Sequence, residues 1–168
     1  TNNDASGHRL RYRLQGTVPE GMQALFYDPV NGTWEGDSTA LLPVGSGEQE
    51  YRWVVVGDAQ YREWFVAQVP QWKLALVGVY PNPFRGNFRI RYSVPYGGIR
   101  EIRFGIYDML GRCLWSHTRQ RPVPGVGSVA WEARPGQRLA GAGTYVLRMT
   151  AVERGRTRVF KQRLTYLP

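Results

Sequence analysis

The sequence has few of the residues on which most catalytic chemistry rests. A single cysteine, Cys113, excludes an internal disulfide framework and any cysteine-based zinc site. Lying between Arg112 and Leu114 in an apparent strand, it reads as a small core residue. The two histidines, His8 and His117, stand alone, with no nucleophile elbow or zinc-helix pattern around them. Asp and Glu total 13 against 22 Lys and Arg. Neither Glu48 with Glu50 nor Asp108 with Glu132 shows the pattern of paired glycosidase acids. No catalytic residue, metal ligand or cofactor is expected. Lysine is scarce as well, since apart from Lys73 and Lys161 the positive charge is all arginine. Long apolar runs are missing: nothing approaches the roughly 18 to 20 residues of a membrane-spanning helix, and no basic-then-apolar leader stands at Thr1. The polar stretch Thr1 to Gly7 reads as the end of a linker, so a piece of a longer protein is expected.

What is abundant points to strands and turns. The 168 residues include 20 Gly, 11 Pro and 13% aromatics, a mixture that favours β structure. The length suits two small β domains of roughly 80 to 90 residues each. A net charge of +9 and a pI near 10.1 create a field that attracts polyanions. Arginine makes planar, bidentate contacts to phosphate or carboxylate.

Strands are expected at His8 to Leu14, Met22 to Tyr27, Tyr51 to Val56, Phe88 to Val94 and Glu101 to Asp108. Others follow at Cys113 to Thr118, Ser128 to Glu132, Thr144 to Val152 and Arg158 to Thr165. Turn clusters such as Asp28-Pro29-Val30-Asn31-Gly32, Met109-Leu110-Gly111 and Arg154-Gly155 separate them. Arg9, Arg11 and Arg13 alternate with Leu10, Tyr12 and Leu14, and Arg89 and Arg91 with Ile90 and Tyr92. Period-two alternation puts the apolar set inward and the arginines in water, so these five are candidate polyanion contacts. The continuous run Val54-Val55-Val56 reads as a strand buried on both sides. One short helix is expected at Asp58 to Gln68, capped by Asp58 and stopped by Pro70, with Tyr61, Trp64 and Phe65 on one packing face. The fold class is therefore all-β, built of immunoglobulin-like sandwiches with at most one short helix near 58–68. The organisation expected is a small β domain over 1–68, an extended apolar connector over 69–79, and a second domain over 80–168.

An ordered set of motifs fills that second domain: Tyr80-Pro81-Asn82-Pro83-Phe84, then Tyr107-Asp108-Met109-Leu110-Gly111-Arg112, then Trp131-Glu132, then Gly143-Thr144-Tyr145. Each has a mechanical reading. The prolines hold the chain extended while Tyr80 and Phe84 anchor its ends. Asp108 bonds turn amides and Gly111 supplies a positive φ, closing a hairpin in the motif that ends at Arg112. Gly143 opens a strand on which Tyr145 is placed as a corner tyrosine.

From about Val77 onward, this set resembles the immunoglobulin-like domain of the flagellar hook-capping protein. It resembles more closely the C-terminal sorting domains of type IX secretion system cargo. That resemblance implies a seven-stranded sandwich read by export machinery or outer-membrane components in a Gram-negative bacterium, and a secreted or cell-surface location. Where hook-capping relatives carry Trp-Asp-Gly, this chain has Trp131-Glu132-Ala133. Met22 to Gly57 resembles more faintly the domain that often precedes such a tail. Basic terminal modules of rumen bacterial glycoside hydrolases are a weaker resemblance, on composition and position.

The expected function is thus a non-catalytic terminal module for export and surface attachment. The alternative is a carbohydrate-binding or polyanion-binding adhesion module appended to a polysaccharide-degrading enzyme. Its ligand would be anionic polysaccharide or lipopolysaccharide, with Trp34 as the ring for sugar stacking. Nucleic acid is not expected, for no recognition motif accompanies the charge.

Overall fold

The computed structural model describes residues 8–13, 16–36, 39–44, 51–132, 139, 141–153 and 155–168; for 8–13 and 39–44 it describes the backbone alone. The chain divides into two compact units, Thr1–Gln71 and Trp72–Pro168. The fold is all-β with one short helix.

In the first unit, β1 (His8–Arg13) pairs antiparallel with β4 (Thr39–Val44). A three-stranded sheet is ordered β3-β2-β5, with β2 at Gln23–Asp28, β3 at Thr33–Glu35 and β5 at Trp53–Gly57. The β2–β3 hairpin follows from Asp28, whose Oδ1 accepts the amides of Val30 at 2.8 Å and Asn31 at 3.3 Å. Gly32 closes the turn at φ +68 and donates to the Asp28 carbonyl. Asp28 is almost wholly buried and faces Arg52 at 3.3 Å, while Arg52 also reaches Glu35 at 3.5 Å. Opposite charges at this depth offset each other's desolvation.

Cross-strand register places Trp34 and Trp53 on either side of Tyr27. Phe65 of helix α1 (Ala59–Gln68) covers this row, with ring centroids 5.7 Å from Tyr27, 6.2 Å from Trp34 and 5.6 Å from Trp53. The helix starts where expected: Asp58 accepts the Tyr61 amide at 2.8 Å. Only Phe65 of the expected aromatic stripe takes part in the row, and Tyr61 and Trp64 stay exposed.

The valine run departs from expectation. Val55 is buried, but Val54 and Val56 are 51% and 45% exposed. β5 is an edge strand, and Val55 shares the face of Trp53 and Tyr27 that Phe65 covers, whereas its two neighbours point to the opposite face. Leu14, the last residue of the first expected strand, lies outside the described residues.

The second unit is a seven-stranded sandwich of two antiparallel sheets. One is ordered β10-β7-β6, with β6 at Ala75–Tyr80, β7 at Asn87–Val94 and β10 at Gly125–Glu132. The other is ordered β12-β11-β8-β9, with β8 at Ile99–Tyr107, β9 at Cys113–Gln120, β11 at Gly143–Glu153 and β12 at Arg156–Tyr166. Ala75–Val79, read from sequence as part of the connector, thus belongs with Tyr80 to the edge strand of a sheet, paired with β7. The alternating strands send Phe88, Ile90, Ile102, Phe104, Ile106, Leu147, Met149 and Leu164 into one core. Complete burial of each such side chain contributes about 1.5–3 kcal/mol.

Candidate functional site

The motif residues of the second unit divide into two constructions and one exposed surface. The first construction is a clamp. Leaving β6 through two cis prolyl bonds, Tyr80–Pro81 and Asn82–Pro83, the chain reaches the last strand of the opposite sheet. Asn82 Nδ2 donates to the Arg163 carbonyl at 3.0 Å, and its Oδ1 accepts the Thr165 amide at 2.9 Å. Two residues on, the Phe84 amide donates to the Thr165 carbonyl, and the Leu167 amide donates to the Phe84 carbonyl, both at 2.9 Å. The Asn82 side chain and the Phe84 backbone together extend β12 sideways by a short parallel ladder. Phe84 itself is buried among Phe88, Tyr166 and Trp131, at centroid distances of 4.7, 5.2 and 5.7 Å. The motif therefore ties the two sheets together.

The second construction is the turn from β8 to β9. Asp108 Oδ1 accepts the amides of Leu110 and Arg112 at 3.0 and 2.9 Å, and Oδ2 accepts Arg112 Nε at 2.6 Å. Gly111 stands at φ +83, where a side chain would be strained. Partial burial pushes the Asp108 carboxyl up, but the Arg112 side chain, its amide and its charge, with the Leu110 amide, outweigh that and hold it below its ordinary 3.8. On β11, which Gly143 opens at φ +156, the Tyr145 hydroxyl donates to the Gly141 carbonyl at 2.8 Å, as in a tyrosine corner.

The exposed surface centres on Tyr80, which was expected to anchor the chain and is instead 79% exposed. Its position at the end of edge strand β6 aims it outward, leaving Phe84 as the anchor. Register puts Tyr80 and Ala130 on either side of Arg89, and Gly78 and Ser128 on either side of Arg91. Tyr80, Arg89, Asn87 and Glu132 line a shallow groove of about 240 Å³. Arg89 and Arg91 are exposed as expected. Arg9, Arg11 and Arg13 lie on β1 of the other unit, and their side chains lie outside the described residues.

Two further expectations change. Trp34 is half-buried against Tyr27 at 4.9 Å and Phe65 at 6.2 Å, because β3 lies beside β2 under the helix. Exposed rings of that unit include Tyr61 and Trp64, 5.5 Å apart and inclined at 31°. With Asp58 and Gln60 they line an open concavity of about 430 Å³. Cys113 is exposed rather than core, since it starts edge strand β9 at an irregularity in its pairing with β8. His117 is half-buried, stacked on Trp115 at 5.9 Å and 7°.

What sequence reasoning missed is how the charge divides. Residues 72–168 hold 17 of the 22 Lys and Arg but only four of the 13 Asp and Glu, a formal +13, while residues 1–71 come to −4. The net +9 thus belongs to the sandwich. Among the described residues no three His, Cys, Asp or Glu cluster as metal ligands do. No helix among them is long and apolar enough to cross a membrane.

No curated protein matches the chain. A β-glucuronidase from Parabacteroides merdae is similar over 94% of this chain at 10% identity and a TM-score of 0.40. The chain spans only 28% of that enzyme's length. A DUF3823 family protein from Parabacteroides merdae ATCC 43184 is similar over 98% of this chain and 100% of its own, at 12% identity and a TM-score of 0.41. Likenesses this loose bear on neither fold nor function. A family model, however, covers residues 78–123, from the Tyr80–Phe84 clamp through the Asp108 turn. That stretch matches the secretion system C-terminal sorting domain, the type IX family its motifs resemble.

Proposed function

We propose that residues 72–168 are a non-catalytic module through which a larger bacterial protein is exported and held at the cell surface. The observation that carries this reading is the sorting-domain match over 78–123. The geometry accords with it: most of the matched motif residues serve turns and sheet-to-sheet bonds, leaving Tyr80 and its groove as the part free to be read by export machinery. The parent protein carries the activity, and the module carries its address. Deleting 72–168 from the parent in its native host should leave the remainder inside the cell. Undiminished export of the truncated protein would count against the reading.

A second reading applies to residues 1–71. The exposed Tyr61–Trp64 pair supports carbohydrate contact, because two adjacent flat rings flanked by a carboxylate and an amide suit a sugar's apolar face and hydroxyls. Tyr61 is held in place by its packing on Gly57, where an added Cβ would lie 2.4 Å from the ring. In this reading the chain is retained on insoluble cellulose or xylan, and Tyr61→Ala with Trp64→Ala abolishes retention. Equal retention of the double variant would exclude the platform.

A further inference from the structure

We propose that the outer face of the four-stranded sheet is a binding site for an anionic polysaccharide. Its carboxylate or phosphate groups meet Arg103, Arg148, Lys161 and Arg163 around the ring of Tyr107. The choice of a polysaccharide over other polyanions rests on the export reading, which places the module where such glycans are; the binding itself does not.

Register assembles this face. Arg148 on β11 stands directly opposite Lys161 on β12 and Gly105 on β8. Val146, two residues before, stands opposite Arg163 and Tyr107, and Thr150, two residues after, stands opposite Arg103. All share the side away from the core, since Ile102, Phe104, Ile106, Leu147, Met149 and Leu164 point the other way and are buried. Strand spacing sets Arg148 and Lys161 roughly 5 Å apart at their bases, with Arg163 and Arg103 about 7 Å off on the diagonals.

Like charges directly opposite each other destabilise a sheet. An ordinary outer face intersperses acids to relieve this. Here the unit's four acids are engaged elsewhere or offset only one of these cations. Glu101 pairs with Arg103 at 3.2 Å, Asp108 with Arg112, and Glu153 with Arg158, while Glu132 lies on the other sheet. Arg148, Lys161 and Arg163 have no carboxylate within 4 Å among the described residues. The fold gains nothing from this crowding, whereas an anion laid across it relieves the repulsion.

The face is also pre-organised and partly apolar. Asn82 bonds the backbone of β12 at Arg163 and Thr165, holding the strand that presents two of the cations. Tyr107 lies flat on Gly105, where an added Cβ would come within 2.7 Å of the ring. The half-exposed ring beside Arg148 gives a sugar a surface to rest on. A ligand running across the strands meets Lys161 and then Arg148, roughly 5 Å apart at their bases.

The test uses the whole chain with polygalacturonate, its fully methyl-esterified neutral form, and duplex DNA, followed by calorimetry at low and moderate salt. One variant combines Arg148→Gln, Lys161→Gln and Arg163→Gln. A charge-matched control combines Arg85→Gln, Arg100→Gln and Arg121→Gln, exposed residues outside the set Arg103, Arg148, Lys161 and Arg163. Polygalacturonate should bind, the neutral ester should not, and salt should weaken binding steeply. Three exposed charge contacts together are worth roughly tenfold or more in affinity, so the face variant should lose at least that and the control less than about threefold. Equal losses in both variants would reduce the effect to net charge and overturn the site. Tighter binding of DNA with the same sensitivity to the face variant would overturn the polysaccharide assignment. Because these measurements use purified protein, they stand or fall independently of whether the unit directs export.

Discussion

Replacing Phe84 with alanine tests whether the Pro-Asn-Pro-Phe segment is a structural clamp. The side chain is 1% exposed and touches Phe88, Trp131 and Tyr166, which belong to both sheets. Truncating a buried Phe to Ala costs about 3–5 kcal/mol, because lost transfer energy is joined by a cavity that neighbours fill incompletely. For a unit of this size, each kcal/mol lowers the melting temperature by roughly 4–8 °C, so a fall of about 15–30 °C is expected. The assay is differential scanning calorimetry of the whole chain, reading the transition of the second unit. Tyr80→Ala is the control: 79% exposed, it should change stability by less than about 0.5 kcal/mol. A fall under 5 °C for Phe84→Ala, or an equal fall for Tyr80→Ala, would refute the division into a buried anchor and an exposed, readable residue.

Further consequences can be measured on the same chain. Asp28→Ala leaves Arg52 buried without its closest described carboxylate and should destabilise the first unit by about 3–5 kcal/mol, seen as loss of its calorimetric transition. Asp108 is held below 3.8 in the folded state, so its stabilising effect is present above that value and lost as pH falls through the lower folded one. Melting of the second unit should therefore drop on acidification below about pH 4, and Asp108→Asn should flatten that part of the profile; an unchanged profile would remove Asp108 from the account. Cys113 is exposed and should be alkylated to completion by iodoacetamide without denaturant, leaving the far-ultraviolet spectrum unaltered. Protection of the thiol until unfolding would contradict its position at the start of β9.

Features governed by local chemistry were legible in the sequence. Asp58 three residues ahead of Tyr61, Asp108 three residues ahead of Gly111, and Tyr145 two residues after Gly143 each determine a short-range geometry that hardly depends on the rest of the chain. Alternation marked β1 and β7 for the same reason. Ala75–Val79 was read as connector although it pairs as a strand, for it lacks alternation and contains Gly78, and Thr39–Val44 escaped because Pro43 argues against a strand. The exposure of Tyr80, Val54 and Cys113 depends on which strands lie at sheet edges, a property of topology that residue type does not encode. The basic face is an intermediate case. The turn signal Arg154-Gly155 in the sequence falls between Glu153 and Arg156, which pair across β11 and β12, as do Arg148 and Lys161. That register was within reach of the sequence, but the third partner, Gly105 under Tyr107, was not.

The central claim is that the second unit addresses a protein for export, and the most direct measurement is a gain of function. An inert periplasmic reporter carrying the 168-residue chain at its C-terminus is expressed in a bacterium with an active type IX system and in the same strain with that system disabled. The account predicts reporter at the cell surface or in the medium of the first strain alone. Reporter retained in the periplasm of both, with the appended chain folded and intact, would contradict it.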